Sequence, residues 1–356
     1  MFDHPGRSMS APRAPRWVAS RTRAHNRLYK PGRSACATAR FVSGGRLDIA
    51  TLSVQMAQST TAAAKIAYPF ALTAAALELM FLWWVARRRH SLQQAGLSLL
   101  MGLGYARAAA LGGLLWGWLF FVCYEARLTT LALDRWWHWA LLFVLVDFCF
   151  YWQHRWAHDT RWGWASHVQH HSVEQFNMTS PFRLSVTSAI SGYQVFYAPI
   201  ALLGFHPAHI LVMVLANVTL QVFVHTETVR RLGVLEWFMN TPSHHRVHHA
   251  SNDIYLDRNL GGLFIVWDRL FGTFQPERDD VPVRYGLVHP IVAVGFWRQL
   301  GALWFREWGN MAHDVRRARS WRERIGYAFG APGWTPQRAA SAGALPLPNL
   351  GKIGES

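Results

Sequence analysis

Residues 147–177 read D-F-C-F-Y-W-Q-H-R-W-A-H-D-T-R-W-G-W-A-S-H-V-Q-H-H-S-V-E-Q-F-N, and residues 241–250 read T-P-S-H-H-R-V-H-H-A. His154 and His158 stand four apart, one helical turn on one face. His167, His170 and His171 stand at i, i+3 and i+4, and His245, His248 and His249 repeat that spacing. Twelve of the 18 histidines fall between His154 and His249, where an even spread would place about five. Three helical segments thus each present an imidazole patch, the way helices supply metal ligands. Eight neutral imidazoles crowded together without a metal would leave ring nitrogens unpaired, at roughly a few kcal/mol each. Eight ligands also exceed the four of a tetrahedral zinc, so two metals are expected. Imidazole suits iron, zinc, copper and nickel alike, which leaves the metal open.

Two further histidines compete for a place at this centre. His225 ends an apolar run and is read as a ninth ligand. His244 stands four before His248 and can reach the same patch. His90, His138, His206, His209, His289 and His313 stand alone and are read as surface or interfacial residues.

Around the histidines the chain is apolar: 51% of its 356 residues are hydrophobic, 14% aromatic and only 16% charged. Soluble domains carry about 25% charged residues, and disorder needs still more charge and less hydrophobicity. Three cysteines without close spacing exclude a disulfide scaffold and a cysteine-based metal site. The formal charge of +16 is concentrated in the leader, where residues 1–48 hold ten Arg or Lys against two acids. That distribution disfavours a nucleic-acid role. Basic flanks and 19 tryptophans suit a membrane protein.

The expected architecture is all-α: a polytopic membrane protein of about four or five spans with a helical cap that holds the metals. The spans are read at Ile66–Val85, Ala108–Tyr124, Trp136–Trp152, Ser188–Leu203 and Ala208–Val224, each near the length that crosses ~30 Å of hydrocarbon. With Arg87-Arg88-Arg89 placed in the cytosol, alternation puts every histidine cluster on the cytosolic face. Four segments follow: a basic leader at 1–55, a membrane catalytic domain at 56–280, interfacial helices at 281–335 and a Pro/Gly/Ala-rich tail at 336–356. Two readings of the leader stay open, a disordered segment or sequence upstream of a true start at Met56. A metal transporter would carry ionisable groups along a mid-membrane path. These histidines gather at one face instead, and the position beside the bilayer points to oxidation of a lipid. Zinc has no redox state for that task, whereas an iron pair does.

The two quoted runs, with N-L-G-G-L-F-I-V-W-D-R-L-F-G-T-F at Asn259–Phe274, resemble the fatty acid hydroxylase/sterol desaturase superfamily over roughly residues 65–335. Its boxes H-x3-H, H-x2-H-H and H-x2-H-H are all complete here. The wording around the first two is most similar to alkylglycerol monooxygenase-like members, which typically carry Glu where this chain has Asp159. The resemblance implies a non-haem di-iron centre, with zinc as a substitute, that hydroxylates or desaturates a membrane lipid with O2. It also implies external electrons, from tetrahydrobiopterin or a separate redox protein, because the chain has no flavin, haem or ferredoxin motif. Asp147 lies seven residues before His154 and is expected to bond a ligand histidine and fix its tautomer. Glu174, Asn177, Asp257 and Asn259 flank the boxes and are read as functional or as caps and turns. Arg155 and Arg246, inside boxes one and three, are read as headgroup or electron-donor contacts, or as surface residues.

Overall fold

The computed structural model describes residues 48–88 and 90–341. The leader to residue 47 and the tail after residue 341 lie outside the described residues. The helices are α1 (Ile49–Trp84), α2 (Leu92–Glu125), α3 (Trp136–Asp159), α4 (Arg161–Ala165), α5 (Val168–His171) and α6 (Ala198–Leu203). They continue with α7 (Pro207–Leu220), α8 (Pro242–His248), α9 (Val266–Phe271), α10 (Phe296–Arg317), α11 (Trp321–Phe329) and α12 (Pro336–Ser341). Among the described residues, β-pairing is confined to three isolated bridges. The all-α expectation is met.

Among the described residues, three helices are long and apolar enough to cross a membrane: Ile49–Trp84, Leu92–Gly113 and the run Pro207–Val224. The first and third of these cover the first and fifth expected spans almost entirely, whereas the second lies mostly before the expected Ala108–Tyr124 and overlaps only its first turns. α1 opens at Asp48, whose carboxylate accepts from the Thr51 backbone N–H at 2.8 Å, so its first turns precede Met56. The fourth expected span is not a continuous helix. It breaks into 3₁₀ turns at Val186–Ala189 and Tyr193–Tyr197 before α6, with Gly192 at φ +106° between them. Indole N–H groups explain why this apolar-looking stretch tolerates a break, with Trp116 Nε1 donating to the Ala189 carbonyl at 2.8 Å. Ser188 donates to the Ser166 carbonyl at 2.9 Å, and the Ser191 carbonyl accepts from Trp162 Nε1 at 2.9 Å. Backbone groups that leave a helix ladder in an apolar setting need such protein partners. α3 falls short of the hydropathy of a span because its tryptophans, His138, Asp147 and the polar end from Gln153 to Asp159 offset its aliphatic residues. At 24 residues it is still about 36 Å long, and Trp137, Leu141, Val144 and Trp152 form an exposed stripe along it.

Packing sets the two ends of the bundle. α1 packs on α7, α2 packs on the 186–189 turn and α6, and α3 packs on α4 and α7. The ring of Tyr124, at the end of α2, meets His206 edge-on at 5.2 Å, and Trp139, in the first turn of α3, meets His209 at 5.7 Å. His206 is buried rather than superficial, and its Nδ1 accepts from the Ala208 N–H as the cap of α7. This end is closed by Gly204 at φ +115°, where any Cβ would collide with the Thr129 carbonyl. At the opposite end, the Ser91 N–H donates to Gln175 Oε1 at 2.7 Å, and His90 and Asn177 are 3.0 Å apart. The histidine boxes lie there. Between the ends, Ile66 and Leu111 are more than 70% exposed among many large apolar side chains, an extent that marks contact with lipid or a partner.

The arrangement predicts opposite sidedness for the two ends. Single cysteines replacing Leu128 and Asp253 should react with a membrane-impermeant maleimide from opposite faces of sealed vesicles. Labelling of both from one side would overturn it.

Candidate metal centre

The last two turns of α3 carry His154 and His158. A tight turn through α4 then returns the chain to His167 and α5, which carries His170 and His171. α8 starts at Pro242, where its missing N–H costs nothing, and carries His245 and His248, with His249 at its end. His225 arrives separately, after the 3₁₀ turn Gln221–Val224 that extends α7.

These nine histidines form two groups. His154, His158, His167, His171 and His248 make one, and His170, His225, His245 and His249 the other. Within each group the donor atoms all lie within 4.8 Å of one another. Spacing explains the sorting. Pairs four apart (154/158, 167/171 and 245/249) share a group, whereas the residues three apart, His170 and His248, turn into the other group. Boxes two and three therefore each serve both groups.

The contact distances suit ions at the two centres. His154 Nε2 and His167 Nε2 are 3.0 Å apart, His167 and His171 3.1 Å, His225 and His245 2.9 Å, and His170 and His225 3.3 Å. Two nitrogens each about 2.1 Å from one ion and at right angles stand about 3.0 Å apart. Outer bonds fix which nitrogen faces inward. His154 Nδ1 donates to the Leu260 carbonyl at 2.8 Å, His248 Nδ1 to the Arg258 carbonyl at 3.0 Å, and His225 Nδ1 to the Gln221 carbonyl at 2.8 Å. A carbonyl only accepts, so each Nδ1 holds the proton and each Nε2 turns a lone pair to the centre. His158 Nδ1 faces Asp257 Oδ1 at 3.0 Å. Buried Nε2 atoms of His158, His248 and His249 have no hydrogen-bond partner among the described residues. Burial, reinforced by neighbouring histidines, holds His167, His170, His171, His245, His248 and His249 well below the ordinary histidine range. Burial takes His225 down to about 4. Neutral imidazoles with inward lone pairs are the donor set a transition metal requires.

Several expected roles are corrected. Asp147 touches no histidine. Its carboxylate accepts from Asn217 Nδ2, the Leu263 and Phe264 N–H groups and Trp267 Nε1, at 2.7–3.1 Å. His244 stands outside both groups, because its ring closes a capping box with Thr241 and meets Phe274. Asp159 accepts from Arg155 Nε at 3.2 Å. Arg155 also donates to the Tyr151 hydroxyl, and Arg246 is buried with two bonds to Glu277 at 3.0 and 2.7 Å. Both arginines are buried and tied to protein groups. Asn259 braces α8, donating to the His244 and Gln275 carbonyls. Asn177 caps the 179–183 turn through the Thr179 N–H and hydroxyl. Glu174 lines a neighbouring cavity. Asp257 alone among the flanking polar residues touches one of the nine. Sequence reasoning missed Asp268, which accepts from the Leu260 and Gly261 N–H groups at 2.6 and 2.8 Å. The acid in W-D-R-L-F was its only signal.

Metal content separates these roles. Purified protein is expected to hold about two ions per chain, and His225→Ala should lower that content as His170→Ala does. His244→Ala should keep it. Asp147→Ala strands four donors at roughly 1–3 kcal/mol each, so a fall of several degrees in the melting temperature is expected. Normal metal content in His225→Ala would remove it from the second group.

Residues 139–273 match the fatty acid hydroxylase family profile. Alkylglycerol monooxygenase of Danio rerio is 40% identical over 221 residues, 61% of this chain and 47% of the relative. The Homo sapiens enzyme of the same name is 38% identical over 215 residues, 59% of this chain and 45% of the relative. Ornithine lipid hydroxylase of Rhizobium tropici is 28% identical over 157 residues, 44% and 47% of the two chains. The chain thus spans about half the length of the curated relatives it matches. No solved structure matches. The matched segment runs from α3 through the Asp147–Asp268 scaffold and includes all nine converging histidines, so the similarity to the fatty acid hydroxylase family falls on the residues that build the centre.

Proposed function

We propose that this chain is a multi-pass membrane oxygenase that hydroxylates a lipid C–H bond with O2 and external electrons. The carrying observation is the convergence of nine imidazoles into groups of five and four at one end of membrane-length helices. In this reading His154, His158, His167, His171 and His248 hold one iron, and His170, His225, His245 and His249 hold the other. Iron bound there supplies the redox chemistry that lets O2 attack an unactivated C–H bond, and zinc would occupy the same nitrogens without that chemistry.

The chain's own residues do the positioning. Carbonyls of Arg258 and Leu260 hold two ligand rings in one tautomer, and Asp257 orients a third. Phe176 lies against His225 and His249, and Trp164 against His158 and His171, with ring centroids 5.0–5.5 Å apart. These rings exclude water from the donor nitrogens. The exposed apolar faces of α2 and α3 lie along lipid, so a substrate reaches the site from the bilayer. Asp257 is half exposed beside His158, which opens this edge to an electron donor in water, tetrahydrobiopterin or a redox protein. The histidine end then faces the cytosol, next to Arg87 and Arg88.

Similarity to alkylglycerol monooxygenases makes an alkylglycerol the first substrate to test. Hydroxylation beside an ether oxygen yields a hemiacetal that collapses to an aldehyde and a free alcohol. Under ¹⁸O2, expressing membranes should place label in a hydroxylated lipid or in the aldehyde trapped as it forms. His170→Ala should reduce product by about 100-fold or more, beyond the loss typical of outer-shell changes. His313→Ala, an exposed residue away from the site, should stay within about twofold, the small effect expected of such surface changes. Full activity after metal removal, or an alkene as the main product, would overturn the proposal.

A further inference from the structure

Beside the metal centre, and lined by none of its histidines, is a cavity of about 300 Å³, at the lower end of the size of small-molecule sites. Its walls come from the first turns of α2 (Gln94 and Leu97), the chain after box two (Ser172, Glu174 and Arg183) and the strap that leads into α10 (Ile291 and Phe296).

Arg183 defines its floor. It is only 3% exposed, yet all five of its hydrogen bonds go to neutral acceptors. Nε donates to Ser98 Oγ, Nη1 to the Ser172 carbonyl and hydroxyl, and Nη2 to the Gln94 carbonyl and Oε1. No carboxylate among the described residues forms an ion pair with it. Burial therefore draws its pKa down to about 10, and the charge that opposes this is Glu174, acting through space. Glu174 sits exposed at the rim. Gln94 gives its oxygen to Arg183, which leaves its amide N–H groups to a ligand. The facing wall of Leu97, Ile291 and Phe296 is apolar.

The cavity thus offers a buried cation, then an acid nearer to water, beside a hydrocarbon wall. The complementary molecule carries an anion, an ammonium and an aliphatic chain. Gln94 and Leu97 belong to the opening turns of a membrane-length helix, so the cavity lies at the depth where headgroups meet hydrocarbon. We propose that it binds the zwitterionic headgroup of a phospholipid, with the phosphate on the Gln94 amide N–H groups in the field of the Arg183 charge and the ammonium toward Glu174. This site is separate from the oxygenase reading, because lipid retention is measured without turnover.

The test uses the full chain purified in micelles that hold equal phosphatidylethanolamine, phosphatidylglycerol and diacylglycerol, with retained lipid measured by mass spectrometry. Phosphatidylethanolamine should be enriched severalfold over the other two. Glu174→Lys should shift retention to phosphatidylglycerol, and Ala293→Trp, which fills the cavity, should abolish the enrichment. Unchanged metal content in both variants establishes their folding. Free phosphoethanolamine should displace the bound lipid at high concentration. Equal retention of the three lipids, an unaltered preference in Glu174→Lys, or binding of phosphoethanolamine without retention of the lipid would each overturn the assignment.

Discussion

The five-histidine group depends on one loop, 257–264, and that loop depends on two buried carboxylates. Asp257 Oδ1 and the carbonyls of Arg258 and Leu260 take the outer nitrogens of His158, His248 and His154. Asp268 holds the backbone at Leu260 and Gly261 from below, and Asp147 holds it at Leu263 and Phe264 from α3. The carboxylates approach so closely that a Cβ at Gly262 would meet Asp147 Oδ1 at 2.6 Å. Asp257 and Asn259 adopt left-handed φ of +56° and +54°, a conformation that asparagine and aspartate tolerate better than other side chains. A buried charge is costly unless fully hydrogen-bonded, and both acids meet that condition by fixing backbone rather than by touching a ligand.

The histidine set was legible in the sequence because ligands on a helix must repeat at three and four residues. His225 was legible for a different reason, its place at the end of an apolar run that returns to the same face. The division into five and four was not, since it arises from how α3, α5, α7 and α8 converge. His244 shows the limit of spacing arguments. It has the right interval from His248, but at the third position of a helix that starts at Pro242 its ring is claimed by the Thr241 cap. Asp147 shows another. An acid inside an apolar helix needs a partner, but its interval from His154 points to the wrong one: the 263–267 backbone and indole take it, 116 or more residues away in sequence.

The membrane reading divides in a similar way. α1, the first part of α2 and the run Pro207–Val224, which joins α7 to its 3₁₀ extension, are apolar and helical over the length of a span. The stretch 188–203 has the same average apolarity but not the same backbone. Gly192 lets the chain leave the helix, and the indoles of Trp116 on α2 and Trp162 on α4 satisfy freed carbonyls. Average hydropathy records how apolar a segment is, not whether its hydrogen bonds stay within it.

The two histidine groups are held by different means. Three members of the five-histidine group have outer bonds from a rigid loop. In the four-histidine group, only His225 has one, to the Gln221 carbonyl of its own turn. Outer nitrogens of His170 and His245 have no hydrogen-bond partner among the described residues, nor does either nitrogen of His249. Phe176 supplies the constraint instead, buried against His225 and His249 and stacked on Tyr285 at 5.0 Å. Packing limits where a ring sits but leaves it freer to rotate than a hydrogen bond does. Three rings of the five-histidine group are thus tied by hydrogen bonds to one loop, whereas the four-histidine group is placed chiefly by packing.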